Sequence, residues 1–160
     1  MITKYIHGDI TETELEYIAH GVNCRDVMGS GVAKSLFQKW EDVKIKYHKY
    51  CSNVPIGKRL ATVEPVKCGD KTVYNCFTQY NYGNDGKKYV NYYAIAHCFK
   101  LLSISLHGKT IAIPKIGCGQ AGGDWKFVEQ LINDTVGHEI EIWVYDNTPV
   151  NKYSKSNDLG

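Results

Sequence analysis

The sequence predicts a three-layer α/β/α domain on a mixed central sheet of about six strands, and three observations carry that prediction. Apolar and alternating runs order the elements as β, β, α, β, β, α, β, α, β. Two of the strands, in residues 17–37 and 111–132, run straight into glycine-rich loops and then into helix starts. The 160 residues, 43% hydrophobic and 22% charged, suit one domain that buries an ordinary core without disulfide staples.

Residues 2–7 alternate apolar and polar side chains, which marks a first strand, and Gly8, Asp9, Ile10 and Thr11 end it. Asp9 either shapes that turn or holds a carboxylate at the sheet edge for a ligand's amino group. Thr11, Thr13, Glu14 and Glu16 belong to a short helical or turn segment. Residues 17–23 form a second, buried strand that delivers His20 and Asn23 to the loop beyond it. That loop closes with Met28, Gly29, Ser30 and Gly31 and opens a helix at Val32. The helix runs past Trp40, Val43, Ile45 and Tyr47 to about Cys51, with a break near Glu41 and Asp42. Pro55, Ile56 and Gly57 mark a turn. Residues 60–64 and 71–78 are strands joined as a hairpin by the turn at 67–70. Gln79, Tyr80, Asn81 and Tyr82 then stand beside a strand end, as a substrate surface or as packing over a loop.

A long helix at 88–106 places Tyr92, Ile95, Ala96, Phe99, Leu102 and Leu106 at three- and four-residue steps, and Gly108 stops it. Ile111, Ala112 and Ile113 make a short buried strand ended by Pro114. Residues 139–145 alternate as the last strand. The domain is expected to span residues 1–147, followed by a polar tail at 148–160 that frays from Val150 onward.

The whole arrangement turns on the segment after Ile113. Gly117, Gly119, Gly122 and Gly123 fall within seven positions, a density that lets backbone N–H groups converge on one point. Asp124 is placed to cap a helix from Trp125, along which Phe127, Val128, Leu131 and Ile132 repeat at helical spacing. Strand, glycine loop and helix start together make an anion site, suited to phosphate or pyrophosphate. A glycine-rich turn without ligand is the other reading of this loop taken alone. It lacks the Lys-Ser/Thr ending of a P-loop and is not a GxGxxG opening the first βα unit. With the Gly29–Gly31 loop added, two helix starts can grip two phosphates, or a phosphate and a ribose.

Composition narrows the partners. A net charge of +2 gives no footprint for long nucleic acid, and the six lysines between Lys34 and Lys58 read first as a solvated helix face and second as an RNA patch. The cysteines at 24, 51, 68, 76, 98 and 118 show no pair two to four residues apart. Neither a zinc cluster nor a thioredoxin-type pair is expected, so no metal and no cofactor are expected; reduced thiols point to the cytoplasm. Cys24 and Cys118 sit in the glycine loops, as reactive thiols or as small neutral loop residues. There is no apolar run near eighteen residues and no leader-like start, so neither membrane span nor signal peptide is expected.

Three separated segments resemble macro domains, the ADP-ribose-binding modules. They are Gly8-Asp9-Ile10-Thr11, then His20-Gly21-Val22-Asn23 ahead of Met28-Gly29-Ser30-Gly31-Val32-Ala33, and the stretch from Pro114 to Trp125. The resemblance covers about residues 2–146. It is closest to the short-loop branch that holds ADP-ribose 1″-phosphate phosphatases and the enzymes that strip ADP-ribose from proteins and DNA. It implies that Asp9 binds the adenine amino group with the Ile10 backbone beside it, and that Tyr145 borders the adenine. It also implies that Gly29, Ser30, Gly31 and Val32 enclose the diphosphate and distal ribose together with Gly117, Cys118, Gly119, Gln120, Ala121 and Gly122.

Two departures are informative. Thr78-Gln79 stands where members that cleave nucleic-acid or acyl links carry Thr-Lys, and Ala121 stands where some carry aspartate. A histidine like His20 appears in the phosphatase members. The expected activity is therefore metal-independent hydrolysis of ADP-ribose 1″-phosphate to ADP-ribose and phosphate. His20 acts as general acid or base, or else is a buried histidine that bonds the loop. Asp124 orients water, or serves only as a helix cap; Asn23 and Ser30 are polar candidates for ribose and phosphate. The alternatives are a non-catalytic module for ADP-ribose or a related cyclic nucleotide, and a hydrolase of ADP-ribosylated protein.

Overall fold

A computed structural model of the chain describes residues 1–149; the expected frayed segment from Val150 lies outside the described residues. Six strands and four helices follow the expected order: β1 (Ile2–His7), β2 (Tyr17–Asn23), α1 (Gly31–Lys39), α2 (Asp42–Asn53), β3 (Val63–Cys68), β4 (Lys71–Gln79), α3 (Tyr92–Ser105), β5 (Thr110–Ile113), α4 (Trp125–Val136) and β6 (Glu141–Asp146). Single 3-10 turns lie at Ile10–Glu12 and Ile56–Lys58. The sheet order is β1-β6-β5-β2-β4-β3, parallel throughout except for the β3/β4 hairpin. The mixed sheet is thus one antiparallel edge on a parallel core.

Side chains alternate across this sheet and so divide the core in two. Ala19, Cys76, Ile111, Ile113, Ile142 and Val144 meet Ile95, Phe99 and Leu102 of α3 and Val128, Ile132 and Val136 of α4. Ile18, Val22, Val73, Phe77 and Ala112 meet Leu36 of α1 and Val43, Tyr47 and Cys51 of α2 on the opposite face. The chain therefore leaves β2 toward one face and leaves β5 toward the other. Between the carboxyl ends of these two adjacent strands lies the point where the connections diverge, and open α/β sheets form their crevice there.

Three elements start later than expected, each for a local reason, and β3 also runs on to Cys68 rather than ending at Glu64. β3 begins at Val63 rather than Leu60, because Ala61 takes φ 68° and Thr62 N–H closes a turn onto Arg59 O at 3.1 Å. α3 begins at Tyr92 rather than Lys88. Asn91 caps it by accepting from Ala94 N–H, while Tyr89 and Val90 donate across to Ala121 O at 2.7 and 3.1 Å. β6 begins at Glu141, since Glu139 O accepts from Gly108 N–H in the preceding turn.

At α4 the expected cap is present: the Asp124 side chain accepts from Lys126 N–H at 3.1 Å. Removing it leaves one orphan helix donor without a protein partner. Asp124→Ala is expected to cost about 1 kcal/mol, read as a lowered urea midpoint with unchanged slope. An unchanged midpoint would mean that water replaces the cap at no cost.

Candidate functional site

The carboxyl ends of β2, β5 and β6 open into a cleft of about 700 Å³. Two glycine loops form its walls and His20 part of its floor. One wall is Met28 to Val32. Ser30 is extended, at φ −145°, and its side chain makes no cap on α1. Instead its Oγ donates across the cleft to Gln120 Oε1 at 3.3 Å. The first N–H groups of α1 have no intrahelical acceptor, and the helix dipole places partial positive charge where they point.

The other wall is Pro114 to Ala121. Here the turns are held by Cys118 N–H to Lys115 O (3.2 Å), Gly122 N–H to Gly119 O (3.2 Å) and Gly123 N–H to Gly117 O (2.8 Å). Gly119, Gln120 and Ala121 N–H take no backbone acceptor among the described residues, which leaves three consecutive unused donors on a loop that lines the cleft. Two glycines are required by shape. Gly117 has φ +76° and a Cβ there would lie 2.6 Å from Val90, while Gly122 has φ +75° and would meet Lys87 O at 2.5 Å. Gly122 supports the loop from behind and is not among the residues lining the cleft.

The first wall is braced by a residue that the sequence reading passed over. Tyr47 Oη, buried on α2, donates to Asn23 O at 2.8 Å and Asn23 Oδ1 at 3.0 Å, and accepts from Val27 N–H at 3.1 Å. Its helical spacing from Val43 and Cys51 marks an inner-face position, but nothing in the sequence tells which loop its hydroxyl meets. Asn23 is consumed in the same brace, with Nδ2 on Val27 O at 2.7 Å and Oδ1 on Arg25 N–H at 2.9 Å. It lines the cleft, yet its amide is committed to shaping the loop.

His20 is 1% exposed. Its Nε2 lies 2.5 Å from Asn75 Oδ1, and its Nδ1 has no partner among the described residues. Burial pushes its pKa down to about 4 against the raising effect of Asn75, so the ring is neutral at pH 7. A buried acceptor without a partner costs about 1–3 kcal/mol, so this nitrogen calls for a reason. Cys118 is not a nucleophile in this setting. Burial, with Asp124 adding to it and Lys115 opposing, holds its thiol at about 11; burial also raises the Cys24 thiol to about 11.

At the β6 end, Tyr145 lines the cleft and is fixed by a 2.6 Å bond between its Oη and Thr13 Oγ1. Lys115 and Asp146, neither singled out from sequence for the site, form an ion pair at 3.2 Å across the cleft mouth. Burial alone would raise the Asp146 carboxyl, but Thr148 and Lys115 outweigh it and hold it below the ordinary range. Asp9 stands next door, because Gly8 N–H bonds Asp146 O at 3.0 Å, but it does not line the cleft. Its Oδ1 accepts from Thr11 N–H and Oγ1 at 2.9 and 2.8 Å, and Ile10 is buried in the α1/α2 core. Asp124 likewise stays on α4 as a cap and does not line the cleft.

On the remaining rim stand Gln79, Tyr82 and Gly83. Beside them the Arg25 guanidinium covers the Tyr80 ring at 4.8 Å and bonds Asn81 Oδ1 at 2.5 Å. Among the described residues no group of three or more His, Cys, Asp or Glu is arranged to hold a metal ion, and no helix is long and apolar enough to cross a membrane.

Known proteins resemble this chain in sequence and in fold. A 17.5 kDa protein from the tk-vs intergenic region of Enterobacteria phage T4 is 30% identical over 161 residues, covering 94% of this chain and 99% of the phage protein. A DNA ADP-ribosyl glycohydrolase of Mycobacterium tuberculosis is 31% identical over 136 residues, covering 82% of this chain but 38% of that enzyme. Among solved structures, a Bacteroides thetaiotaomicron protein of unknown function superposes with a TM-score of 0.80 at 29% identity, over 91% of this chain and 98% of its own. The macrodomain of Thermus aquaticus DarG does so with 0.75 at 23% identity over 91% and 98%, a likeness of fold. The family model described as Macro domain matches residues 19–132, from the second residue pair of β2 into α4. That span takes in both glycine walls of the cleft, and on it this chain belongs to the macro domain family.

Proposed function

We propose that the cleft binds ADP-ribose and that the chain hydrolyses ADP-ribose 1″-phosphate to ADP-ribose and phosphate. The observation that carries this reading is the pair of glycine loops that line the cleft with unused N–H donors, together with His20 among the lining residues, its buried Nδ1 unpaired. The diphosphate lies between Gly29–Val32 and Gly117–Ala121, where amide donors bind charge without bringing counter-charge of their own. The adenosine extends toward Tyr145, Asp146 and Asp9, and the Lys115–Asp146 pair borders it. The distal ribose and its phosphate turn toward Asn23 and His20.

In the reaction water attacks phosphorus, the bond from phosphorus to the C1″ oxygen breaks, and that oxygen leaves as the ribose hydroxyl after taking up the proton that the imidazole removed from the water, which returns the ring to its neutral form. A neutral imidazole accepts the proton of the attacking water, and the loop amides take up charge that builds on the phosphoryl oxygens. His20 serves as that base through its unpaired nitrogen; Ser30 and Asn23 hold the walls rather than react.

A second reading is supported by Arg25 over Tyr80 with Tyr82, 53% exposed, beside the cleft. Stacked aromatic and guanidinium planes accept unpaired bases, and the mycobacterial relative carries the name DNA ADP-ribosyl glycohydrolase. In that reading the leaving group is a nucleotide of a short single strand.

The deciding experiment supplies purified chain with ADP-ribose 1″-phosphate, an ADP-ribosylated single-stranded oligonucleotide and an ADP-ribosylated protein, each with a chelator. Phosphate release that falls at least about 100-fold in His20→Ala supports the first reading. Release of ADP-ribose from the oligonucleotide alone establishes the second, and binding without turnover of any of the three makes this a binding module.

A further inference from the structure

Two buried side-chain atoms among the described residues lack a hydrogen-bond partner, His20 Nδ1 and Thr78 Oγ1. The threonine hydroxyl faces Gly21 and can rotate. The imidazole cannot, and what holds it is Asn75, a fully buried amide on β4 among Val73, Phe77 and the apolar face of α2. An aliphatic side chain would pack in that place without any polar requirement, so the amide needs a chemical reason.

We propose that Asn75 is a positioning residue for His20, fixing the ring of this cleft-lining residue as the Nε2–H tautomer so that Nδ1 is kept as a bare proton acceptor. The inference rests on the reading above, in which that nitrogen takes the proton of the attacking water. The orientation of the amide is determined by its other contacts. Asn75 Nδ2 donates to Val43 O at 3.2 Å and to Glu64 Oε1 at 3.1 Å, and both of these atoms face it as acceptors. A flipped amide would set oxygen against oxygen at both contacts, so Oδ1 faces His20. An acceptor at 2.5 Å from Nε2 requires the proton to sit there, which leaves the Nδ1 lone pair free.

Glu64 on β3, Asn75 on β4 and His20 on β2 thus form a line across three neighbouring strands, running from a half-buried carboxyl to the cleft floor. Base, orienting group and anchor are arranged as in other sites that hold a reactive side chain by a third residue. No other ionisable side chain hydrogen-bonds the His20 ring among the described residues. Lys46 of α2 acts on Glu64, Tyr47 is turned to Asn23 and Val27, and Lys115 is paired with Asp146.

The test uses the full chain labelled with nitrogen-15 in its six histidines, with the His20 signals identified by their loss in His20→Gln. Wild type is expected to show a neutral ring with a proton on Nε2 alone near pH 7. A proton on Nδ1, or an even mixture of tautomers, overturns the proposal, and this measurement requires no change at Asn75. Asn75→Asp then sets a carboxylate against Nε2 and favours the charged ring. The acid limb of the kcat profile for ADP-ribose 1″-phosphate should move up by at least one pH unit, with KM within about twofold of wild type. A folded Asn75→Asp whose limb does not move reduces Asn75 to a packing role. If wild type releases no phosphate at all, the reading of function fails, and the tautomer spectrum alone decides on Asn75.

Discussion

Gly119→Glu is expected to leave the fold intact and to weaken ADP-ribose binding by at least about 100-fold. A Cβ at residue 119 meets nothing within 4 Å, and Gly119 is exposed, so the substitution is free of the backbone clash that Gly117 and Gly122 would suffer. Its effect is electrostatic. The glutamate carboxylate enters the ring of N–H donors formed by Gly119, Gln120 and Ala121, both occupying the donors and repelling the diphosphate. Like charges brought together in a site cost several kcal/mol, and each 1.4 kcal/mol is about tenfold in Kd. Isothermal titration with ADP-ribose reads the loss, and Gly119→Ala serves as control with binding near wild type. If Gly119→Glu binds within threefold of wild type, the diphosphate does not lie against this wall.

The two glycine walls were legible before any coordinates because glycine clustering is a local signal. Gly29 to Gly31 and Gly117 to Gly123 each sit between an apolar strand run and a helical repeat, and those neighbours fix what the loop does. β1 and β2 match their predicted spans to the residue, and the break between α1 and α2 falls at Trp40 and Glu41, one residue ahead of the expected Glu41 and Asp42. Long-range tethers were not legible. The late start of α3 depends on Tyr89 and Val90 binding Ala121, some thirty residues onward, and no periodicity in residues 88–91 reveals it.

The same limit separates residues near the site from residues in it. Asn23 and Asp124 have side chains suited to catalysis, yet one is spent on Val27, Arg25 and Tyr47 and the other on Lys126. Asn75 shows the converse. On a strand reading it is a polar interruption in an apolar run, and only the packing of β2 beside β4 brings it to His20.

Lowering the pH from 7 to 4 is expected to remove about 3 kcal/mol of folding stability through His20 alone. The folded ring titrates at about 4 and an unfolded histidine at about 6.5. Between these values the unfolded chain binds the proton and the folded chain does not, so acid favours unfolding. The stability is complete above about pH 6.5, declines through the window and loses nothing further from this group below about pH 4. A gap of that size, at about 1.4 kcal/mol per pH unit, is about 3.5 kcal/mol in full, of which about 3 kcal/mol is lost by pH 4, where half of the folded rings are themselves protonated. Two carboxyls act in the neighbourhood with opposite signs. Glu64 is raised by burial and gains protons on folding, which favours the fold as pH falls, whereas Asp146 is held low and costs stability only below the ordinary carboxylate range. Comparing urea unfolding of wild type with His20→Gln across pH 4 to 7 cancels both, since glutamine keeps a donor for Asn75 and does not titrate. Wild type should show the steeper decline by about 3 kcal/mol across the range. Parallel curves would mean that His20 can be protonated inside the fold, and a ring that charges there is a general acid in the floor of the cleft rather than a base.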